Sequence, residues 1–170
     1  MQSQMTSPTM PSGPAAWLGT ATGALQQIPH SIIVLLARLG IGATFWLSGQ
    51  TKIEGLVIDP IGLNFQFGIP HVSDTAIELF RSEYALPLLP PEFAATLAAT
   101  AEHVFPFLLV IGLASRLSAL ALLGMTLVIQ FFVYPEAWPT HSLWAAILLY
   151  IAARGPGVFS IDHLISRRQR

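Results

Sequence analysis

An acidic residue and a histidine stand side by side, as Glu102 and His103, inside a long apolar run of residues 93–114. The run is long enough to cross a bilayer as a helix, at ~1.5 Å per residue against ~30 Å of hydrocarbon. A carboxylate near the middle of such a helix costs roughly 2.5 kcal/mol or more unless it is paired, hydrogen-bonded or protonated. Glu102 therefore faces partners inside the protein, and it is the first candidate for proton chemistry.

Arg38 lies inside another apolar run, residues 31–50, and is the expected partner of Glu102. Counted along the helices, Glu102 lies ~13 Å and Arg38 ~18 Å below the outer surface. The pair could fix the helix register, or Glu102 with His103 could accept and relay protons. We predict Glu102, His103 and Arg38 as candidate catalytic residues; a plain hydrogen bond inside the bundle is the alternative for His103.

A second set of polar and aromatic residues surrounds a short loop: Gln130, Tyr134, His141 and Trp144. Helices joined by a short loop pack antiparallel, so these side chains can meet near the outer surface. A quinone head group needs hydrogen-bond donors at its carbonyls, a flat aromatic or apolar wall and a proton route. We predict a quinone-binding role for these four residues; an interfacial aromatic belt is the alternative.

The elements that must position these residues are four apolar helices. The apolar runs predict an all-α protein, a four-helix transmembrane bundle with spans at about 31–50, 93–114, 117–134 and 138–153. Small residues in the first span permit close helix approach, and Lys52 can extend to the interface; the small residues are Gly40, Gly42, Ser48 and Gly49.

A long, acidic and broken connection, residues 53–92, separates the first two spans. Within it, residues 73–84 predict a short amphipathic helix, with Ser73 or Asp74 as its cap. Its apolar face consists of Ile77, Phe80 and Tyr84. Such a helix would lie on the membrane surface or cover the bundle as a lid.

Composition supports a membrane protein and excludes several kinds of site. Of 170 residues, 53% are hydrophobic and only 10% are charged, whereas soluble domains carry about 25% charged residues. The net charge of −1 gives no basic face for nucleic acid. The absence of cysteine excludes thiolate metal sites, disulfide relays and covalent c-type haem. We predict no metal site and no haem, because His103 and His141 differ in depth by about two turns.

The chain divides into a predicted disordered tail, residues 1–29, a membrane domain, residues 30–166, and a basic end, residues 167–170. With four spans, the arginines after the second and fourth spans lie on one side, and the positive-inside rule makes that side cytoplasmic. We therefore expect a multi-pass protein of the bacterial inner membrane with both termini in the cytoplasm and the acidic loop in the periplasm.

Taken together, these motifs resemble the DoxX/DoxD family of small four-span membrane proteins. The resemblance rests on Arg38-Leu39, Gly42, Phe45, Ser48-Gly49, Lys52, Glu102, Pro106, Gly112-Leu113, Ser115-Arg116, Met125-Thr126, the stretch from Val128 to Phe131, Tyr134-Pro135, His141, Trp144, the stretch from Arg154 to Gly157, and the stretch from Ser160 to Asp162. It implies a four-helix membrane bundle linked to redox metabolism. Some members resemble quinone-reducing partners of thiosulfate oxidation, and others accompany oxidative-stress or metal-handling proteins.

The function we expect is that of a membrane subunit of a quinone-linked redox or oxidative-stress system, with another protein subunit or a second copy as partner. Cysteine pairs of related members are missing, so a thiol–disulfide role does not carry over. Two other classes remain open: a non-catalytic membrane anchor or assembly partner for a soluble protein, and a small proton-coupled transporter.

Overall fold

The computed structural model describes residues 17–18, 22–23, 25–60 and 62–169. Residues 1–30 and 31–170 form separate compact units. In the first unit, residues 17–18, 22–23 and 25–26 have helical backbone where the sequence had predicted disorder. Residues 1–16, 19–21 and 24 of that predicted tail lie outside the described residues.

The second unit is built on long helices. Helix α1 spans His30–Gln50, α3 spans Pro91–Ile111, α4 spans Ser115–Val128 and continues as a π-helix over Ile129–Val133, and α5 spans Trp138–Arg154. Between α1 and α3 lie strands β1, Ile53–Asp59, and β2, Asn64–Val72, and helix α2, Asp74–Leu79, with its π-helical continuation Phe80–Tyr84. Helix α6, Ile161–Arg168, follows α5.

The interior of the helical unit contains charged and polar side chains beside its hydrophobic core, and its exterior exposes many large apolar ones. Buried polar side chains include Arg38, Lys52, Glu102 and His141, whereas large apolar side chains such as Leu36 and Leu143 are about two-thirds exposed. This distribution suits a lipid surround, because lipid tails solvate apolar groups and leave polar groups to pair inside. Within the described residues, α1, α3 and the continuous helix Ser115–Val133 are long and apolar enough to cross a membrane. The predicted fourth span forms helix α5, with 17 residues.

Two glycines bring α1 close to α3, as the sequence predicted. A Cβ on Gly42 would meet the Val110 side chain at 2.7 Å, and one on Gly49 would meet the His103 ring at 2.8 Å. Gly40, by contrast, has no atom within 4 Å of the position of a Cβ and plays no part in this contact. The contact at Gly49 sets Glu102 opposite the last turn of α1.

The connection after α1 contains a β-hairpin that the sequence analysis missed, so the predicted all-α class is wrong in this segment. Strands β1 and β2 pair antiparallel, with a bulge after Glu54. Gly55 adopts φ +85°, and a Cβ there would lie 2.3 Å from the Ile69 carbonyl oxygen. Glycines and a proline hid the strand pattern, because they are rare inside strands and were taken as turn signals.

The short helix after the hairpin was predicted correctly. The Ser73 hydroxyl caps α2 by accepting from the Ala76 amide at 3.1 Å. Phe80 is 5% exposed and packs with Ala94 and Ala95 of α3. Ile77 and Tyr84 pack around the same cluster, so the predicted apolar face lies against the bundle.

At the end of the helical unit away from α2, Arg38 and Asp162 form hydrogen bonds to backbone groups at the ends of other helices. The guanidinium donates to the Leu109 and Val110 carbonyls at 2.7 and 2.6 Å, where α3 ends, and to the Pro156 and Phe159 carbonyls at 2.9 and 2.7 Å. Asp162 accepts from the first amides of α4, Ala114 at 2.8 Å and Ser115 at 2.9 Å. A cation at a helix C-terminus and an anion at a helix N-terminus both complement the helix dipole.

Candidate functional site

A cavity of about 400 Å³ lies between α1, α3, α4, α5 and the α2 segment. Most of its wall is apolar; the polar exceptions are Thr44, Ser48, Lys52, Tyr84, Glu102, Tyr134 and His141. Ligand pockets commonly have this size and this combination of an apolar wall with a few convergent polar groups. Of the seven residues predicted as site residues, Glu102, Tyr134, His141 and Trp144 line this one cavity.

Glu102 is paired with Lys52 and not with Arg38. The Lys52 ammonium nitrogen lies 2.7 Å from Glu102 Oε2, and both side chains are more than nine-tenths buried. The same ammonium donates to the Ser48 carbonyl and hydroxyl, each at 3.1 Å, and the Ser48 hydroxyl donates to Glu102 Oε1 at 3.0 Å. The ammonium is off the hydrogen-bonding direction of Oε2, which has no aligned donor, so this contact is an ion pair.

The predicted Arg38–Glu102 pair is therefore wrong. Leu109, which accepts from Arg38, lies about two turns beyond Glu102 on α3. The error came from the depth estimate, which placed the two residues at a similar level, whereas Arg38 contacts the end of α3 and Glu102 lies near its middle. Arg38 lies at the junction of helix ends and does not line the cavity.

Sequence reasoning missed Lys52 and Ser48 as site residues. Lys52 was interpreted as an interfacial lysine, yet it is only 6% exposed. One sequence signal pointed to it: Ser48 and Lys52 are four apart, so they share a helix face, and Gly49 beside them permits close approach.

His141 and Gln130 were predicted to face one another, and this contact is confirmed. His141 Nδ1 lies 2.7 Å from Gln130 Oε1, and Gln130 Nε2 donates to the Pro135 carbonyl at 2.8 Å. His141 is 5% exposed and lines the cavity. Gln130 supports His141 from the π-helical segment at the end of α4.

Aromatic rings form much of the cavity wall. Trp144 contacts Phe45 of α1, with ring centroids 5.4 Å apart, and His141, at 5.2 Å. Phe80 and Tyr84 stand edge to face at 4.7 Å. Such a wall can stack against a flat ring.

The α2 segment covers the cavity as a lid, one of the two positions that the sequence left open. Tyr84 contacts the Tyr134 ring at 5.8 Å, and the Tyr134 hydroxyl donates to the exposed carboxylate of Glu83. That hydrogen bond raises the pKa of Tyr134, because it favours the neutral phenol. Burial raises the pKa of Tyr84. Both sides of this contact are π-helical, a geometry frequent at functional sites.

His103 lies outside the cavity lining. Its Nδ1 lies 2.6 Å from the Ala99 carbonyl, and its Nε2 lies 2.8 Å from Gln50 Nε2. Both ring nitrogens are thus engaged, and Trp46 packs edge-on against the ring at 4.9 Å. This is the hydrogen-bonded structural position that was the alternative for His103.

No group of three or more potential metal ligands converges among the described residues. His71 lies on the hairpin with a loose contact to Glu54 at 3.7 Å, whereas His103 and His141 have separate hydrogen-bond partners.

The sequence model of the DoxX family matches residues 33–135, more than half of the chain. The chain belongs to the DoxX family. An uncharacterized protein of Haemophilus influenzae is similar to it, with 24% identity over 151 residues that cover 84% of this chain and 89% of that protein. No solved structure matches the chain.

The matched region of this DoxX protein contains Lys52, Glu102, Gln130 and Tyr134, whereas His141 and Trp144 lie beyond it. The motif residues fall into two places in the fold. One group, with Arg38, Gly112 and Asp162, joins the helix ends. The other group, around Glu102 and Tyr134, lines the cavity.

Proposed function

We propose that this DoxX protein binds a quinone head group in the cavity and serves as the membrane subunit of a quinone-linked redox system. The observation that carries the proposal is the cavity itself, an aromatic and apolar chamber of about 400 Å³ that contains the Lys52–Glu102 pair and His141. A substituted quinone ring is flat, apolar on its faces and polar only at two oxygens, and it fits such a chamber.

Each part of the lining has a role in this proposal. Trp144 and Phe45 supply aromatic rings on one side, and Tyr84 with Phe80 supplies others under the lid. Glu102 and His141 are the groups that can exchange protons with ring oxygens. Tyr134 lines the cavity and donates to the exposed Glu83, so this contact connects the cavity with the outer side.

Electrons would be exchanged between the quinone and a partner protein in this proposal. The chain has no cysteine for a thiol relay of its own. The partner is a further subunit or a second copy of the chain.

We also propose the four-span topology, with both termini in the cytoplasm of a bacterial inner membrane. Helix α5 has 17 residues, about 25 Å at ~1.5 Å per residue, which suits a thin or locally thinned bilayer. Arg116, near the start of α4, donates to the Ala152 and Ala153 carbonyls near the end of α5, at 2.6 and 3.0 Å. The two helices therefore run antiparallel. Arg116 at the start of α4 and Arg154 at the end of α5 would both face the cytoplasm.

Binding of a short-chain quinone to protein purified in mild detergent tests the proposal. We expect saturable binding by equilibrium dialysis, with quenching of tryptophan fluorescence. His141→Leu and Glu102→Gln should bind at least about tenfold more weakly while the fold is retained. The matched control is His71→Leu on the hairpin, which should bind like the wild type. Absence of saturable binding to the wild type would reject the quinone site and favour the anchor function.

A further inference from the structure

We propose that the cavity prefers the reduced form of its ligand, a quinol, because His141 presents to it a hydrogen-bond acceptor that only a hydroxyl group can use. The inference rests on the proposed quinone function and deepens it. It follows from where the protons lie on Gln130 and His141 and from how the Lys52–Glu102 cluster uses its donors.

The orientation of the Gln130 amide is fixed by the Pro135 carbonyl. This carbonyl oxygen is an acceptor only, so the group 2.8 Å from it must be the amide nitrogen. The amide oxygen therefore faces His141 Nδ1 at 2.7 Å. Because this oxygen cannot donate, the proton of the contact is on Nδ1.

A neutral imidazole carries one proton, so His141 with a proton on Nδ1 presents Nε2 as an acceptor. His141 lines the cavity, and its Nε2 makes no hydrogen bond to the residues that the structure describes. None of the ion pairs among those residues includes His141. A hydroxyl group can donate to this nitrogen, whereas a quinone carbonyl gains nothing from it.

The hydrogen-bond donors of the Lys52–Glu102 cluster are also used within the protein. The Lys52 ammonium donates to the Ser48 carbonyl and the Ser48 hydroxyl and forms its ion pair with Glu102. Glu102 Oε2 is fully buried beside this ammonium, and a ligand in the cavity does not reach it. The cluster therefore gives a quinone carbonyl no hydrogen-bond donor.

Other hydroxyl donors of the lining are also committed. Thr44 donates to the Gly40 carbonyl at 3.0 Å, Ser48 donates to Glu102, and Tyr134 donates to Glu83. The Tyr84 hydroxyl is an exception, and both it and the indole N–H of Trp144 would serve either form, because a quinol oxygen accepts as well as donates. The difference between the two forms therefore depends on His141 Nε2.

The test compares decylubiquinone with decylubiquinol, bound to the same purified protein under anaerobic conditions. The pH should lie above the ordinary titration range of histidine, at about 8. One added hydrogen bond to a charged or buried acceptor predicts roughly tenfold tighter binding of the quinol. Equal or tighter binding of the quinone overturns this inference alone. Failure of both forms to bind overturns the proposed function, and this inference with it.

Gln130→Glu provides a variant that should change the preference. A carboxylate next to Nδ1 favours the doubly protonated imidazolium, in which Nε2 becomes a donor. The quinol preference should then fall to parity or reverse, whereas the matched change Gln66→Glu on the exposed strand β2 should leave it unchanged. If Gln130→Glu preferred the quinol to the quinone as strongly as the wild type does, His141 Nε2 would not be the group that sets the preference.

NMR of isotope-labelled histidine tests the proton position directly, without any ligand. The chain has five histidines, so the His141 signal can be assigned by its loss in His141→Leu. We expect a protonated Nδ1 and an unprotonated Nε2. The opposite tautomer would overturn the inference even if the quinol bound more tightly.

Discussion

The Lys52 ammonium lies 2.7 Å from Glu102 Oε2, with both side chains buried between α1 and α3. Each charge is tolerable at this depth because the other is present. Burial of a single charge without its partner is expensive, so the two residues form one energetic unit. The position of Glu102 inside a membrane helix required a partner, and Lys52, in the turn directly after α1, supplies it.

The first prediction concerns this coupling. Lys52→Met and Glu102→Met should each lower the free energy of unfolding in detergent by ~3–5 kcal/mol, because each leaves a buried charge unpaired. The double variant should recover a large part of the loss. Unfolding with a denaturing detergent, followed by tryptophan fluorescence, measures all three.

Arg38 supplies the control for this cycle. The sequence predicted that Arg38 pairs with Glu102, whereas the structure gives Arg38 four backbone carbonyl partners elsewhere. The effects of Arg38→Leu and Glu102→Leu should therefore add to within ~0.5 kcal/mol. If instead the double variant of Arg38 and Glu102 regained stability, and the effects at Lys52 and Glu102 were additive, the results would support the pair predicted from the sequence.

The second prediction concerns Gly112, which follows α3 at φ +75°. A Cβ there would lie 2.5 Å from Ser160 Cβ and 2.6 Å from Arg38 Nη2. Gly112→Ala should lower stability by more than ~1–2 kcal/mol, since left-handed strain adds to the displacement of Arg38. Thermal unfolding in detergent measures the loss.

Gly124→Ala is the matched control, because a Cβ at that position of α4 meets nothing within 4 Å. Alanine is the better helix former by ~1 kcal/mol, so this variant should be as stable as the wild type or more stable. Equal losses for the two variants would count against the tight junction at Gly112.

The third prediction concerns alkaline pH. Tyr84 and Tyr134 have raised pKa values in the folded protein. Below the ordinary tyrosine pKa of ~10 both states are protonated and the stabilisation is fully present. Above it the unfolded chain loses these protons first, so stability falls as the pH rises further. Thermal unfolding between neutral pH and about pH 11 measures the slope.

Tyr134→Phe removes the larger of these two shifts and the contact with Glu83. The variant should lose less stability at alkaline pH than the wild type does. Its α2 segment, which comprises Asp74–Leu79 and the π-helical Phe80–Tyr84, should also exchange amide hydrogens faster at neutral pH, because it loses its hydrogen bond to Tyr134. Identical alkaline slopes would show that Tyr134 does not carry the pH dependence.

The fourth prediction is topological. Reporter domains fused after the C-terminus and into the hairpin loop near Pro60 should report opposite compartments, cytoplasmic and periplasmic. The loop is the favoured insertion point, because Pro60 is exposed between β1 and β2. Both reporters on one side would eliminate the four-span topology.

The sequence by itself determined the helices and the residues that need special surroundings. Apolar runs and helix breakers predicted α1, α3, α4 and α5 to within a few residues, because periodicity and length are local properties. Ser73 was identifiable as a cap for the same reason. Glu102 was identifiable as a residue in need of a partner, since its cost in an apolar helix does not depend on the fold.

Only the tertiary structure decided which partner each polar residue has. The position of α1 along and around α3 is set by close contacts such as that of Gly49 with the His103 ring. These contacts join residues that are far apart in the sequence. Arg38 and Lys52 are 14 residues apart, ~4 turns of helix, and no local pattern encodes which of them lies beside Glu102. The hairpin escaped prediction because it depends on pairing between β1 and β2 and not on apolar alternation. The cavity could not be predicted either, because its lining residues come from five helical segments and meet only when these segments pack.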